Sequence, residues 1–145
     1  MRLERVFPLT VTFVALVVLS AGCAGSPTSP STYAPFSQID LQVGTGAEAV
    51  NTKLLTVHYT GWLYDGSQPE QKGAQIDSSV GGTAFTFTLG AGQVIRGWDQ
   101  GLLGMKVGGF RRLVIPPSLA YGNTRIGVVP PNATLMFEIE LLDVQ

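Results

Sequence analysis

The side chains that could support acid–base, nucleophilic or metal chemistry are few in this sequence, and their spacing does not suit such chemistry. His58 is the only histidine, so a metal site or a serine–histidine pair would rest on one imidazole. Asp77-Ser78-Ser79 offers hydroxyls without an accompanying base. Glu138 and Glu140 share one face of a predicted strand, where we expect surface carboxylates rather than a hydrolytic pair across a cleft. These residues favour a function without metal, cofactor or covalent catalysis.

The most distinctive apolar feature is the stretch from Val94 to Met105, which is centred on Trp98. Trp98, Leu102 and Met105 follow one another at spacings of four and three, a helical period, and Asp99 lies on the opposite side. Glycine costs about 1 kcal/mol relative to alanine in a helix, so the glycines here require packing to hold the helix together. The pattern predicts a short helix under a sheet. Periodicity alone leaves open whether Trp98 only fills the core or forms the floor of a pocket.

Strands must surround this helix, and the clearest strand pattern covers Ala133 to Val144. Its apolar residues alternate with Met136, Glu138 and Glu140, which predicts one core face and one partly solvated face. The apolar residues are Leu135, Phe137, Ile139 and Leu141. Further strands are predicted at Leu55 to Thr60, Phe85 to Leu89 and Phe110 to Ile115, with an edge strand at Ile39 to Val43.

Strands in series with one helical insertion predict an antiparallel α+β domain, which we place at residues 38–145. Two glycine- and proline-rich segments, Asp65 to Gln75 and Ile115 to Asn132, are predicted loops. The second loop is long and carries apolar residues, including Val128 and Val129, so we expect it to form the lip of a binding site.

The first 22 residues have the pattern of a signal peptide. Arg2 and Arg5 precede an uncharged run, Val6 to Leu19, that is shorter than the ~20 residues of a spanning helix. Leu19 to Cys23 resembles a bacterial lipobox, whose cysteine is acylated and becomes the first residue of the mature protein. Cys23 is also the only cysteine, so it has no partner for an internal disulfide. We expect a membrane-anchored lipoprotein of the bacterial envelope, with ordinary secretory cleavage as the alternative.

Residues 23–37 link this anchor to the domain. The segment is rich in proline and serine, lacks charged side chains and shows almost no apolar periodicity, which is typical of an extended tether. The whole chain has a formal net charge of −1, and removal of the signal peptide makes it more acidic. That balance argues against nucleic acid as a partner.

Six motifs in order give the chain a resemblance to the FKBP-type peptidyl-prolyl cis-trans isomerases. The resemblance covers essentially everything after the tether. The motifs are VHYTG (57–61), IDSS (76–79), FTFTLG (85–90), VIRGWDQGL (94–102), LAYG (119–122) and VVPPNATLMFEIELL (128–142). The resemblance implies a five- or six-stranded antiparallel sheet curled around one short helix, with an apolar pocket between them. It also implies a monomer that acts on proline-containing polypeptides and that binds hydrophobic macrocyclic inhibitors.

Carried over residue by residue, the resemblance implies a site for rotation about the prolyl imide bond. Trp98 would form the floor, Asp77 would lie at the rim, and the Ile95 N–H and the Tyr121 hydroxyl would donate to substrate carbonyls. The remaining catalytic residues are Tyr59 and Phe137. The implied substrate-binding residues are Ile76, Phe85, Val94, Val128 and Val129.

Two departures from the family pattern bear on activity. Ile76 stands where the family usually has phenylalanine, and an arginine usual between Asp77 and Phe85 is absent from this chain. Two hypotheses therefore remain: an active isomerase that assists the folding of exported proteins, and a weakly catalytic module that binds proline-containing segments or macrocycles.

Overall fold

The computed structural model describes residues 33–145, so Cys23, the signal segment and most of the tether lie outside the described residues. This part of the chain contains six strands, one short α-helix and two turns of 3₁₀ helix. The strands are β1 (Ser37–Gln42), β2 (Leu54–Tyr64), β3 (Lys72–Ser78), β4 (Phe85–Thr88), β5 (Phe110–Ile115) and β6 (Leu135–Val144). The helix α1 covers Arg96–Gly101, and the 3₁₀ turns cover Pro69–Gln71 and Pro117–Leu119. No helix among these residues is long and apolar enough to cross a membrane.

The six strands form one antiparallel sheet. Its order is β1-β5-β6-β2-β3, and β4 pairs with the first half of β2. The long central strands β2 and β6 pair from Leu55 opposite Val144 to Leu63 opposite Leu135. The predicted α+β fold, a six-stranded antiparallel sheet with one short helix, is confirmed, and β1 is an edge strand as predicted.

The glycines of α1 allow the helix to lie close against β5. A Cβ atom on Gly97 would lie 2.4 Å from the Cγ2 of Ile115, and one on Gly101 would lie 2.7 Å from the Cδ2 of Leu113. Such distances are too short for real side chains, so larger residues would push the helix away from the sheet. The glycines lower the helix propensity of α1, but they permit the close approach that sets the distance between Trp98 and the sheet.

Arg111 fixes the other end of the helix. Its side chain is buried, and Nη1 donates to the carbonyl oxygens of Gly101 at 2.8 Å and Leu103 at 3.1 Å. The Arg111 Nε and Nη2 donate to the Asp40 carboxylate on β1 at 2.6 and 3.1 Å. A cation is favourable at the carbonyl end of a helix, and here it also joins that end to the edge strand. Sequence patterns gave no indication of this role.

Two expectations about the outer face of β6 were wrong. Met136 was predicted on a partly solvated face but is fully buried, and Glu138 was predicted at the surface although its side chain is only 12% exposed. Glu138 accepts from Arg112 at 2.6 Å and lies 3.0 Å from the Lys72 ammonium. A charged group this far from water needs such partners, and Arg112 and Lys72 supply them from β5 and β3.

The prediction of a loop from Asp65 to Gln75 was also partly wrong, because β3 already begins at Lys72. Before β3, the turn at Pro69–Gln71 brings the Glu70 carboxylate within 2.7 Å of the Lys72 ammonium. Lys72 also lies over the Trp62 ring, 4.6 Å from its centroid. Glu70 and Lys72 thus join Arg112 and Glu138 in a cluster of charged side chains on the outer face of the sheet.

Candidate functional site

A cavity of about 350 Å³ opens between α1, the concave face of the sheet and the segment after β5. Fourteen residues line it, and they come from several elements and loops of the domain. They are Tyr59, Ile76, Asp77, Phe85, Gln93, Val94, Ile95, Trp98, Tyr121, Ile126, Gly127, Val128, Val129 and Phe137. Apart from Asp77, none of these side chains carries a charge at neutral pH, so the cavity suits an apolar group of modest size.

Trp98 is the centre of the aromatic part of the cavity. Its ring centroid lies 5.1 Å from that of Tyr59 and 5.3 Å from that of Phe137, and both contacts are edge-to-face. Phe87 and Phe85 follow at 5.6 and 6.2 Å. Aromatic rings at these distances and angles stabilise one another beyond their buried area. The Trp98 ring is consequently held in one orientation and is 4% exposed.

Gly61 makes room for the Phe137 ring in the cavity wall. A Cβ on this β2 residue would lie 2.5 Å from Cε1 of Phe137 and 3.3 Å from Cγ1 of Ile76. Gly61 pairs directly with Phe137 across the two central strands, so any side chain here would displace that ring. Hydrophobic periodicity does not reveal that Gly61 must lack a side chain, or that α1 lies so close to β5. It is a pattern of apolar side chains and cannot show where a side chain must be absent.

Tyr59 and Asp77 form a hydrogen-bonded pair at the cavity wall. The Tyr59 hydroxyl donates to Asp77 Oδ2 at 2.6 Å, and the Ser78 backbone N–H donates to Asp77 Oδ1 at 2.8 Å. Burial, together with the hydrogen bond to Asp77 and the charge of that carboxylate, raises the pKa of Tyr59 to about 12. Tyr59 therefore remains a neutral phenol, with its proton directed at Asp77.

The start of α1 presents backbone groups to the cavity. Ile95 precedes the first turn, and its carbonyl accepts from the Trp98 N–H at 2.9 Å. Within residues 33–145 no acceptor occupies the Ile95 N–H, as is general for the first donors of a helix. This donor is available to a carbonyl group that enters the cavity.

Two polar residues, Asp99 and Gln93, hold the segment leading into α1. Asp99 accepts from the Gly90 N–H at 2.8 Å and the Gly92 N–H at 3.2 Å. Gln93, a cavity residue, accepts from the Thr88 N–H at 2.8 Å through Oε1. These three bonds fix the loop between β4 and α1. Gln93 could have been found only from this three-dimensional arrangement.

The segment between β5 and β6 forms the predicted lip. Ile126 and Val129 form an isolated antiparallel bridge, with Val129 buried and Val128 69% exposed. Tyr121 is 36% exposed, and among the described residues its hydroxyl has no hydrogen-bond partner. The lip thus places apolar surface and one free hydroxyl at the mouth of the cavity.

The eleven residues that the sequence assigned to the domain site all line this one cavity, while their individual roles remain predictions. Ile126, an apolar residue of the predicted lip, also lines the cavity, and Gln93 and Gly127 are lining residues that the sequence did not indicate. His58 does not line the cavity, and its Nδ1 lies 3.1 Å from the Ser79 hydroxyl. Glu138 and Glu140 are also outside the cavity lining, and Cys23 lies outside the described residues.

Comparison with known proteins agrees with this geometry. The family model described as "FKBP-type peptidyl-prolyl cis-trans isomerase" matches residues 46–142. An FK506-binding protein of Neisseria meningitidis serogroup B is 53% identical over 107 residues, covering 72% of this chain and 92% of its own. FK506-binding protein 2 of Dictyostelium discoideum is 40% identical over 147 residues, covering 98% of this chain and 99% of its own.

Solved structures with the same fold support the comparison. AtFKBP13 superposes with a TM-score of 0.66 at 39% identity, over 76% of this chain and 93% of its own. FkpA from Escherichia coli gives a TM-score of 0.65 at 38% identity, over 76% of this chain and 48% of its own. On its sequence, its fold and the residues gathered around Trp98, the chain belongs to the family of FKBP-type peptidyl-prolyl cis-trans isomerases.

Proposed function

We propose that the protein is a peptidyl-prolyl cis-trans isomerase that rotates X–Pro bonds in the cavity over Trp98. The observation that carries the proposal is the combination of an aromatic floor with the unoccupied Ile95 N–H beside it. A proline ring would pack on Trp98, and the Ile95 N–H and Tyr121 hydroxyl would donate to carbonyl groups of the bound segment.

Such a site can accelerate rotation without forming or breaking a covalent bond. The barrier of about 18–20 kcal/mol arises from imide resonance, which is lost when the bond is twisted. Water stabilises the planar, polarised imide, so an apolar cavity that removes water favours the twisted form. Each 1.36 kcal/mol of such differential binding gives about a tenfold gain in rate.

The direct test is a protease-free isomerisation assay of the full-length protein in a mild detergent. Peptides should differ only in the residue before proline, and both kcat/KM and the dissociation constant should be measured. Acceleration above the uncatalysed rate supports the isomerase. Binding without acceleration would instead support the second function, a module that captures proline-containing segments.

The second function has one structural observation in its favour. Ile76 provides the cavity wall next to Asp77, and it offers a proline ring no flat aromatic face. Relatives named FK506-binding proteins lead us to propose that hydrophobic macrocycles of the FK506 class occupy the same cavity. Competition between macrocycle and peptide would place both ligands in one site.

We further propose that the protein assists the folding of exported proteins from a lipid anchor at Cys23. The support is the signal-like segment at residues 1–22 and the lipobox pattern that ends at this cysteine. One acyl chain binds membranes only marginally, so stable anchoring needs the two or three chains expected of a bacterial lipoprotein. The domain itself would act as a monomer tethered to the membrane.

A further inference from the structure

Asp77 is a charged residue at the mouth of an otherwise uncharged cavity. Its side chain is exposed, and each carboxylate oxygen accepts one hydrogen bond from the protein, from Tyr59 and from Ser78. A carboxylate has about four acceptor positions, so about two remain free toward solvent at the cavity mouth.

No cation of the described chain neutralises this carboxylate. The ion pairs among residues 33–145 engage Asp40, Glu70 and Glu138 but not Asp77. The six residues that follow β3 before Phe85 carry no charge. Arg96 and Arg125 are each adjacent in sequence to a lining residue, and neither lies within ion-pair distance of Asp77.

We propose that the cationic partner of Asp77 is supplied by the substrate, so that the cavity selects proline segments with lysine or arginine next to the proline. This inference rests on the proposed function, because a proline over Trp98 places its neighbouring residues at the cavity mouth. Lysine and arginine have long aliphatic stems, and the exposed apolar side chain of Val128, which lines the cavity, can cover such stems. The apolar floor binds the ring, and Asp77 discriminates between its neighbours.

The expected discrimination is modest, because the carboxylate is exposed to water. Exposed ion pairs of this kind change equilibria by about two- to fivefold. A glutamate at the same substrate position should be disfavoured by a similar factor. Salt should remove both effects, because the screening length falls from about 8 Å at physiological ionic strength to about 3 Å at 1 M.

The test compares three peptides that differ only in the residue before proline, which is lysine, methionine or glutamate. With the full-length protein at low salt, we expect kcat/KM to fall from lysine to methionine to glutamate by about two- to fivefold at each step. In 1 M NaCl the three values should converge. Equal values at low salt in an active protein would overturn the inference and leave the proposed function standing.

Variants locate the effect. Asp77→Asn removes the charge. Val80→Lys adds a competing cation at an exposed position three residues after Asp77 and leaves Tyr59 and Ser78, the hydrogen-bond partners of Asp77, in place. Both variants should reduce the differences in kcat/KM among the three peptides. Glu140→Gln removes an exposed charge on the face of β6 opposite the core and is the matched control. If the order of kcat/KM among the three peptides survives in both Asp77→Asn and Val80→Lys, or is reduced equally in Glu140→Gln, the assignment to Asp77 is wrong.

Dissociation constants of the peptides distinguish selection by charge from isomerase activity. If no peptide is isomerised, the dissociation constants of the same three peptides, followed by tryptophan fluorescence, decide the matter. Tighter binding of the lysine peptide by about two- to fivefold upholds selection by charge in a non-catalytic module. Equal dissociation constants in an inactive protein overturn both proposals.

Discussion

At the scale of single residues, Trp98 packs extensively against other aromatic rings, although its indole N–H makes no hydrogen bond in the described part of the chain. Its Nε1 is buried and has no acceptor within residues 33–145. An unsatisfied buried donor costs about 1–3 kcal/mol. Contacts with four neighbouring aromatic rings offset that cost and hold the indole flat at the base of the cavity. These contacts place Trp98 in the lining of the cavity, where we propose that it forms the floor for a bound proline.

Ile76 gives a prediction about rate. A phenylalanine in its place would give a bound proline a flat face and keep water from one side of the imide. Aromatic contacts of this kind are worth about 0.5–1.5 kcal/mol, so Ile76→Phe should raise kcat/KM by about three- to tenfold. Ile76→Leu is the control of equal size without a ring. If kcat/KM for Ile76→Phe is equal to or lower than that of the wild type, the lack of an aromatic ring at position 76 does not limit the rate.

Tyr59 gives a prediction about pH. Its pKa is raised to about 12 from the usual value near 10, chiefly by burial and then by Asp77. A raised folded-state pKa stabilises the protein fully below pH 10, and this contribution is lost as the pH rises through about 12. The difference in unfolding free energy between wild type and Tyr59→Phe should be constant below pH 10 and should shrink above it. Denaturant titrations across that range would test this, and a constant difference would contradict it.

At the scale of elements, the position of α1 depends on missing side chains. Gly97→Ala should improve helix propensity by about 1 kcal/mol but place a methyl group against Ile115. We expect the clash to dominate and to destabilise the protein by about 1–3 kcal/mol net.

Two further variants isolate the clash at Gly97. Gln100→Ala, at an exposed position of the same helix, should be close to neutral. Ile115→Ala should cost less in a Gly97→Ala background than alone, because the first change has filled part of the space. Additive costs in denaturant unfolding would show that the close approach is unimportant.

Elements with regular alternation could be predicted from the sequence, and those without it could not. β2 and β6 alternate over most of the segments predicted for them and were identified, although β2 extends four residues beyond the predicted end at Thr60. The first half of β3, Lys72-Gly73-Ala74-Gln75, shows no apolar alternation because none of its side chains enters the core. Its strand conformation comes from pairing with β2, which is a non-local interaction.

At the scale of the whole molecule, the candidate site could be predicted because its residues sit in family motifs. The ion pairs on the outer face of the sheet could not be predicted, since they depend on contacts between segments that are distant in the sequence. Glu138 becomes largely shielded from water only when Arg112 and Lys72 converge on it from other strands. The same holds for Arg111 on β5, whose side chain links α1 to β1.

The proposed anchor yields a prediction for the complete protein. If Cys23 is acylated, the wild type should partition into the detergent phase, and its N-terminal peptide should carry the mass of the acyl chains. Cys23→Ser should remain in the aqueous phase or retain its signal segment. Wild-type protein recovered fully in the aqueous phase, with no acyl mass, would end the lipoprotein proposal.

Exchange spectroscopy can test at a single bond whether the cavity over Trp98 rotates X–Pro bonds. At equilibrium, NMR signals of the cis and trans forms of one proline peptide report the rate of rotation directly. The full-length protein should accelerate this exchange. Trp98→Leu should bind more weakly, accelerate less and be destabilised by about 1–3 kcal/mol.

Trp62→Leu is the matched control, because Trp62 is the only other tryptophan and lies outside the cavity lining. We expect Trp62→Leu to retain the acceleration that Trp98→Leu loses. Exchange that is unchanged by the wild-type protein, or that Trp98→Leu accelerates as well as Trp62→Leu does, would contradict the proposed function.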